Sequence, residues 1–228
     1  MDDRMMRAVL FDRYGPPEVL YTARVPRPEP GPGEVLVRVR AFSVNGGETA
    51  ARAGRVHLLT GRRFPQRTGL DFAGEVAALG VGATGFSVGE PVWGVLGRTS
   101  GFGSAAEYVV ASPERMGRIP DGTDPVAAAA LPVATTAVTA LRDKARLRPG
   151  ERLLIRGAAG GVGNAAVQLG RAYGAKVTAL AGTPTSTSSA TSGHTRPSTT
   201  GRPRSRPWAV STWSWTPWEP GYRPCGVC

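Results

Sequence analysis

The residues with the clearest chemical use are Gly157–Ala158–Ala159–Gly160–Gly161–Val162–Gly163. An apolar run, Leu153–Leu154–Ile155, stops at this glycine cluster, and a helical pattern through Asn164–Gly170 begins at once. A strand–turn–helix of this kind leaves backbone N–H groups free at a helix start, where the helix dipole favours a pyrophosphate. Ala158, Gly160 and Gly163 stand at the three glycine places of the dinucleotide fingerprint, so its first place is only approximated. A tight strand-to-helix turn in any α/β domain would read the same way. Lys176–Leu180 is a second strand after the helix, and Ala181–Gly182–Thr183 follow where an NAD site is expected to carry a ribose-binding acid. No carboxylate there would repel a 2′-phosphate, which favours NADP. The cofactor-binding candidates are therefore Ala158, Gly160, Gly161, Val162, Gly163 and Gly182.

The elements that must position this loop come in two styles. Met6–Phe11 and Glu18–Val25 read as short strands around Gly15–Pro16–Pro17, and Pro26–Pro32 is too stiff and donor-poor for a regular element. Glu34–Val44 alternates, with Val35, Val37 and Val39 on one face and Leu36, Arg38 and Arg40 on the other. Asn45–Gly46–Gly47 ends that strand, and Glu48–Ala53 fits one or two helical turns. Thr68–Leu79 reads as a strand with a bulge or bend at Gly74, and Pro91–Leu96 and Ala105–Ala111 as further strands. Many short strands between Gly/Pro turns indicate a compact β-rich domain, an open barrel, over residues 1–123. The pattern changes at Asp124–Pro125, a helix N-cap with proline in the first turn. Helical spacing through Ala127–Leu131, interrupted at Pro132 and resumed at Thr135–Leu147, leads to the glycine loop, so 124–182 reads as a partial Rossmann domain.

The 228 residues carry a net charge of +11, with 26 Arg against 2 Lys. No basic block or stacked aromatic–basic pattern accompanies the excess, so a nucleic-acid partner is not expected. Residues 1–182 contain no cysteine, which excludes disulfides and thiolate zinc sites there. Nothing approaches 18 consecutive apolar residues and the start lacks a signal-peptide apolar core. The expectation is a cytoplasmic protein without a membrane partner.

Laid out in order, Gly31–Pro32–Gly33–Glu34–Val35–Leu36–Val37–Arg38–Val39, Ser43–Val44–Asn45, Gly69–Leu70–Asp71–Phe72–Ala73–Gly74–Glu75–Val76, Val88–Gly89–Glu90–Pro91–Val92–Trp93–Gly94, Ala105, Glu107–Tyr108, Leu131–Pro132–Val133–Ala134–Thr135–Thr136–Ala137 and the glycine loop form a specific set. The chain resembles the medium-chain dehydrogenase/reductase superfamily in its zinc-free quinone oxidoreductase branch, over residues 5–182. The resemblance implies a fold of class α/β plus β: a GroES-like β-rich barrel domain, then a Rossmann domain with a parallel sheet, and NADP(H) in the cleft between them. It implies homodimers for intact members. Zinc-dependent members bind catalytic metal through a Cys, a His and a further Cys or Asp, and the matching positions here are Asn45, Leu70 and Pro132. Leucine and proline cannot ligate through their side chains, so no zinc is expected. Hydride transfer from NADPH to a quinone or enone then places charge on a delocalised oxygen, which hydrogen-bond donors can meet. The resemblance makes Asn45 such a donor; a turn asparagine with left-handed backbone before Gly46 is the competing reading. It places Thr135 and Thr136 against the nicotinamide, while threonines bonding back to helix carbonyls are the alternative. Asp71 stands where zinc members carry Glu, with a structural role at a strand end preferred. His57 reads as a surface-loop residue without a partner.

From Thr183 the composition breaks. The last 46 residues hold 17 Ser/Thr, 7 Pro and four of the five Trp, with no Leu, Ile, Met, Phe, Lys or Asp. Such a segment cannot build further Rossmann strands and reads as disordered. The genetic code sharpens the reading. Taking the third base of each codon with the first two of the next, Trp215–Thr216 must give Asp and Trp218–Glu219 must give Gly. The whole of Val210–Glu219 can encode Phe-Asp-Val-Val-Leu-Asp-Pro-Val-Gly, which resembles the family's next strand. Thr191–His194 permits Leu-Gly-Ala and Pro197–Thr200 permits Ile-Asp-Tyr, in the expected order. The expectation is a frameshifted reading that begins between about Gly182 and Thr187 and impairs the enzyme. On that reading Cys225 and Cys228 are incidental. A non-catalytic nucleotide-binding or interaction protein with a recruited Ser/Thr/Pro/Trp-rich tail is the alternative.

Overall fold

The computed structural model describes residues 4–60, 63–97 and 103–182, and the tail from Thr183 lies outside them. It divides into two compact units, Met1–Thr135 and Thr136–Cys228.

The first unit is built on β3 (Val35–Phe42) and β5 (Asp71–Leu79). They lie at the middle of an antiparallel sheet with β6 (Pro91–Val95), β7 (Tyr108–Ala111) and β8 (Met116–Arg118), ordered β7-β3-β5-β6-β8. A second sheet joins β1 (Met5–Phe11) to β2 (Tyr21–Pro26) and to the short β4 (Gln66–Arg67), in the order β2-β1-β4. The β-branched run of β3 suits a pleated, packed surface, and Val35, Val37, Phe72, Val76, Val92, Leu96, Val109 and Ala111 form its core. Each large side chain so buried contributes about 1.5–3 kcal/mol. Leu36, expected on the polar face of β3, is buried together with Val35 and Val37, so the start of the strand is covered on both faces.

Gly74 marks an irregularity, as its isolated place in an apolar strand suggests. The β3–β5 register shifts between Leu36 and Val37 and again between Val39 and Ala41. A β-carbon on Gly74 would stand 2.0 Å from the Arg38 carbonyl oxygen, so only glycine admits this strand approach. Other strand boundaries moved for local reasons. Pro16 and Pro17 turn Pro17–Val19 into one 3₁₀ turn, which removes Glu18–Leu20 from the expected strand. Gly69 takes φ +88°, and its carbonyl accepts the Gly103 and Ser104 N–H groups, which keeps Thr68–Leu70 out of β5. Ala105 and Glu107 bond to β1 before the chain enters β7. His57 opens α2 (His57–Thr60), and its Nδ1 lies 3.0 Å from the Gly54 carbonyl, so it has a partner.

Asp124 caps α3 (Pro125–Ala128), its Oδ1 accepting the Val126 N–H at 2.6 Å. Ala128 and Ala129 bury against Ala73 and Ile119 of the β unit. The division expected at 123/124 therefore differs from the compact units, whose boundary falls inside α4 (Leu131–Val138).

In the second unit a π-helical turn, Thr139–Lys144, continues α4, and β9 (Arg152–Arg156), α5 (Gly161–Ala172) and β10 (Lys176–Leu180) make the strand–helix–strand unit. β9 and β10 pair in parallel, Leu153 opposite Val177 and Ile155 opposite Ala179. Those side chains pack with Ala137, Leu141 and Ala166, while Leu154 alternates outward and is 64% exposed. The run Pro125–Lys144 is long and apolar enough to span a membrane by length and mean hydropathy, 1.3. Its Ala128, Ala129, Ala137 and Leu141 are buried, while 28% of its most apolar window is buried in all.

Candidate functional site

The glycine loop is shaped by contacts that only small residues permit. Gly157 ends β9 in the left-handed region at φ +73°, and the Ala158 N–H returns to the Leu180 carbonyl at 2.9 Å. Gly160 is the N-cap of α5, extended at φ −77° and ψ 164°, and its carbonyl accepts the Asn164 N–H at 2.8 Å. The N–H groups of Gly161, Val162 and Gly163 come before that bond and have no carbonyl one turn back within the helix. No acidic residue stands in this first turn. The result is a short, exposed arc of donors at the positive end of a three-turn helix, suited to phosphate oxygens.

The three fingerprint places separate here. Gly163 has the third role: a β-carbon on it would lie 2.2 Å from the Gly157 carbonyl oxygen and 2.8 Å from the Ala158 Cα. Gly170 serves the same packing farther along the helix, 2.7 Å from Leu153 by the same measure. Gly160 has room, its nearest neighbour being 3.4 Å away. Ala158 is 9% exposed and packs into the core of this unit, so its side chain supports the loop from beneath. The tight-turn role falls to Gly157, which the fingerprint spacing passes over; its position directly after the apolar run was the available signal. Gly182 follows β10 and is exposed, with no described residue within 4 Å of a β-carbon placed on it.

Asn45 sits in the β unit at the N-terminus of α1 (Gly46–Arg52), with φ −111° and ψ 163°. Its backbone is extended, which removes the left-handed-turn reading. It forms a capping box with Glu48: the Asn45 side chain accepts the Glu48 N–H, and the Glu48 carboxylate accepts the Asn45 N–H. The spacing Asn45-x-x-Glu48 was a legible signal for this pair. Asn45 Nδ2 donates to Ser43 Oγ at 3.0 Å and to Asp71 Oδ2 at 2.7 Å, and Ser43 donates to the same Asp71 oxygen at 2.6 Å. Asp71 Oδ2 and Ser43 Oγ thus both lie on the Nδ2 side of the amide.

Glu48 and Asp71 are each 4% exposed, and Glu48 Oε1 has no hydrogen-bond partner among the described residues. Burial holds the Glu48 carboxyl above its ordinary 4.5; the Asp71 charge pushes the same way, while the Asn45 and Leu70 backbone bonds oppose it. A raised folded-state pKa contributes stability that is complete below the ordinary glutamate range and is lost as pH rises through the raised value. Glu48→Gln is therefore expected to gain thermal stability relative to the parent chain as pH rises across that window. Melting curves from acid to neutral pH check this, and a pH-independent difference would contradict it.

The two threonines behave as helix residues. Thr135 is exposed, and its hydroxyl donates to the Pro132 carbonyl at 2.7 Å. Thr136 is exposed one residue later. Ser43, Asn45, Glu48 and Asp71 are brought together in the first unit, and Ala158–Gly163 form the loop in the second.

The alcohol dehydrogenase GroES-like domain family matches residues 31–121. A quinone oxidoreductase from Sus scrofa is 37% identical over 79% of the chain and 54% of its own length. The chain belongs to the medium-chain dehydrogenase/reductase superfamily, on its quinone oxidoreductase side. A mycocerosic acid synthase-like polyketide synthase from Mycobacterium tuberculosis is 41% identical over 72% of the chain, a match that spans 8% of that much longer protein. Among solved structures, the Escherichia coli quinone oxidoreductase complexed with NADPH aligns with a TM-score of 0.70 at 28% identity, covering 78% of this chain and 53% of that one. The chain thus spans about half the length of these quinone oxidoreductases. At two of the places where the superfamily resemblance puts zinc ligands, Leu70 packs against the main β core and Pro132 is buried.

Proposed function

We propose that this superfamily member is built for zinc-free, NADPH-dependent reduction of a quinone or conjugated enone. The carrying observation is the glycine loop: three backbone donors at the start of α5, in a cradle that a side chain at Gly163 would fill. The residues fit a dinucleotide pyrophosphate, and the bound NADPH would supply the hydride. Gly161, Val162 and Gly163 would hold the phosphates, and Ala181–Gly182–Thr183 bring no carboxylate that would repel a 2′-phosphate after β10. Asn45 meets the charge that develops on the acceptor oxygen, by analogy with the superfamily pattern. Leu70 and Pro132 carry no donor atom where zinc members bind metal, which supports chemistry carried by hydrogen-bond donors alone.

The residues after Gly182 enter this reading as an out-of-frame translation of the remaining Rossmann strands, which impairs turnover while leaving the loop intact. NADPH titration followed by nicotinamide fluorescence tests the cofactor assignment. Saturable binding with preference over NADH is expected; no saturation up to about 1 mM, the weak end of ordinary substrate affinities, would overturn it. Quinone-dependent NADPH oxidation is expected to be weak or lost, and rapid turnover would contradict impairment. Binding without any oxidation, even after the reading frame is restored, would favour the non-catalytic alternative. The nucleotide sequence past codon 182 tests the frame directly: without an open second frame encoding family-like strands, that part of the reading falls.

A further inference from the structure

Asp71 opens β5 with its carboxylate buried, and the same oxygen, Oδ2, accepts from Ser43 Oγ at 2.6 Å and from Asn45 Nδ2 at 2.7 Å. A serine hydroxyl has one proton, and Ser43 gives it to Asp71; its lone pairs are left to face the Asn45 amide nitrogen at 3.0 Å. On the other side, Asn45 Oδ1 accepts the Glu48 N–H at the first turn of α1. The capping box thus sets the Asn45 amide oxygen toward the Glu48 N–H and its nitrogen toward Asp71 and Ser43. Turning the amide over would set its oxygen against the Asp71 carboxylate and the Ser43 lone pairs, and its NH₂ against the Glu48 N–H. A free asparagine has no such preference.

We propose that Asp71 is a positioning residue for Asn45, fixing its amide as a donor, and that Ser43 is the weaker of its two partners, the one an acceptor oxygen displaces. The Ser43 bond is the longer of the two and goes to a neutral oxygen, whereas the Asp71 bond goes to a carboxylate and is the stronger. Ser43 then competes with the acceptor oxygen for the amide, and Asp71 keeps the amide in place. The inference rests on the reading of Asn45 as the acceptor's hydrogen-bond donor. That reading and the positioning by Asp71 can fail separately.

The chain contains two asparagines, Asn45 and Asn164, so the side-chain amide signals of a ¹⁵N-labelled sample are easily separated. Hydrogen exchange of the Asn45 side-chain amide is expected to be about tenfold or more slower than at exposed Asn164, the factor that loss of one charge-assisted bond would bring. Asp71→Asn is expected to abolish that protection. Ser43→Ala, the gentler change should Asp71→Asn fail to fold, is expected to reduce that protection without abolishing it. Exchange of Asn45 at the Asn164 rate, or protection unchanged in both variants, would overturn the positioning. In the frame-restored chain, Ser43→Ala is expected to lower KM for the quinone several-fold with kcat retained, while Asp71→Asn lowers kcat. Asp71→Asn is also expected to add nothing to Asn45→Ala. Intact protection in a frame-restored chain that Asn45→Ala leaves fully active would sink the donor reading of Asn45 while the positioning stands.

Discussion

Gly163→Val is expected to lower NADPH affinity by about 30- to 100-fold, the equivalent of the roughly 2–3 kcal/mol that forced overpacking costs. The reason is local. A β-carbon at this position meets the Gly157 carbonyl oxygen at 2.2 Å and the Ala158 Cα at 2.8 Å, both of them backbone, so nothing flexible can yield. The loop must move away from α5, and the arc of Gly161, Val162 and Gly163 donors moves with it. Gly160→Ala is the matched control: its β-carbon has 3.4 Å of clearance and its φ of −77° suits alanine. It should leave the fold unchanged, so any loss of NADPH binding in that variant reports contact with the ligand itself. Fluorescence titration of both variants, with circular dichroism to follow folding, makes the comparison. Equal affinity in Gly163→Val and the parent chain would remove the loop from the binding site.

Phe72→Ala is expected to cost the β unit about 3–5 kcal/mol, enough to unfold much of it under ordinary conditions. Phe72 is fully buried in the middle of the core between Val37, Val76 and Val92. Its ring also occupies the space in front of Gly94, where a β-carbon would stand 2.6 Å from the Phe72 Cζ. Removing the ring leaves a cavity lined by strands whose backbones are held by their own ladders and cannot close in. Phe72→Leu keeps most of the volume and should cost far less. Urea unfolding followed by circular dichroism separates them; a loss below about 1 kcal/mol for the alanine would mean that the sheet repacks around the gap. The candidate site would suffer too, since Asp71 precedes Phe72 on the same strand.

Much of the architecture was legible because it depends on neighbours in the chain. The strand pattern of Val35–Phe42, the Asp124–Pro125 helix start and the apolar run into the glycine loop each follow from backbone preference and side-chain alternation. Misreadings arose where a distant segment intervened. Leu36 looked like a solvent-side residue until the fold covered both faces of β3 at its start. Thr68–Leu70 looked like strand until Gly103 and Ser104 claimed the Gly69 carbonyl. The helix at Pro125–Ala128 looked like part of the second domain until its alanines found Ala73 and Ile119.

The candidate site divides along the same line. By itself the sequence determined the superfamily, the glycine loop with its small residues, and the absence of ligating side-chain atoms at Leu70 and Pro132, because each of these is a property of residue type and local spacing. Only the tertiary structure decided what Asn45 does with its amide. Ser43 and Asp71 lie 28 positions apart, and their meeting with Asn45 depends on how β3 and β5 pair. It also moved the tight-turn role from Ala158 to Gly157, since burial and backbone angle are not encoded in a fingerprint's spacing. Local pattern selects the backbone, but the direction in which a polar group points is settled by partners that the fold brings from elsewhere.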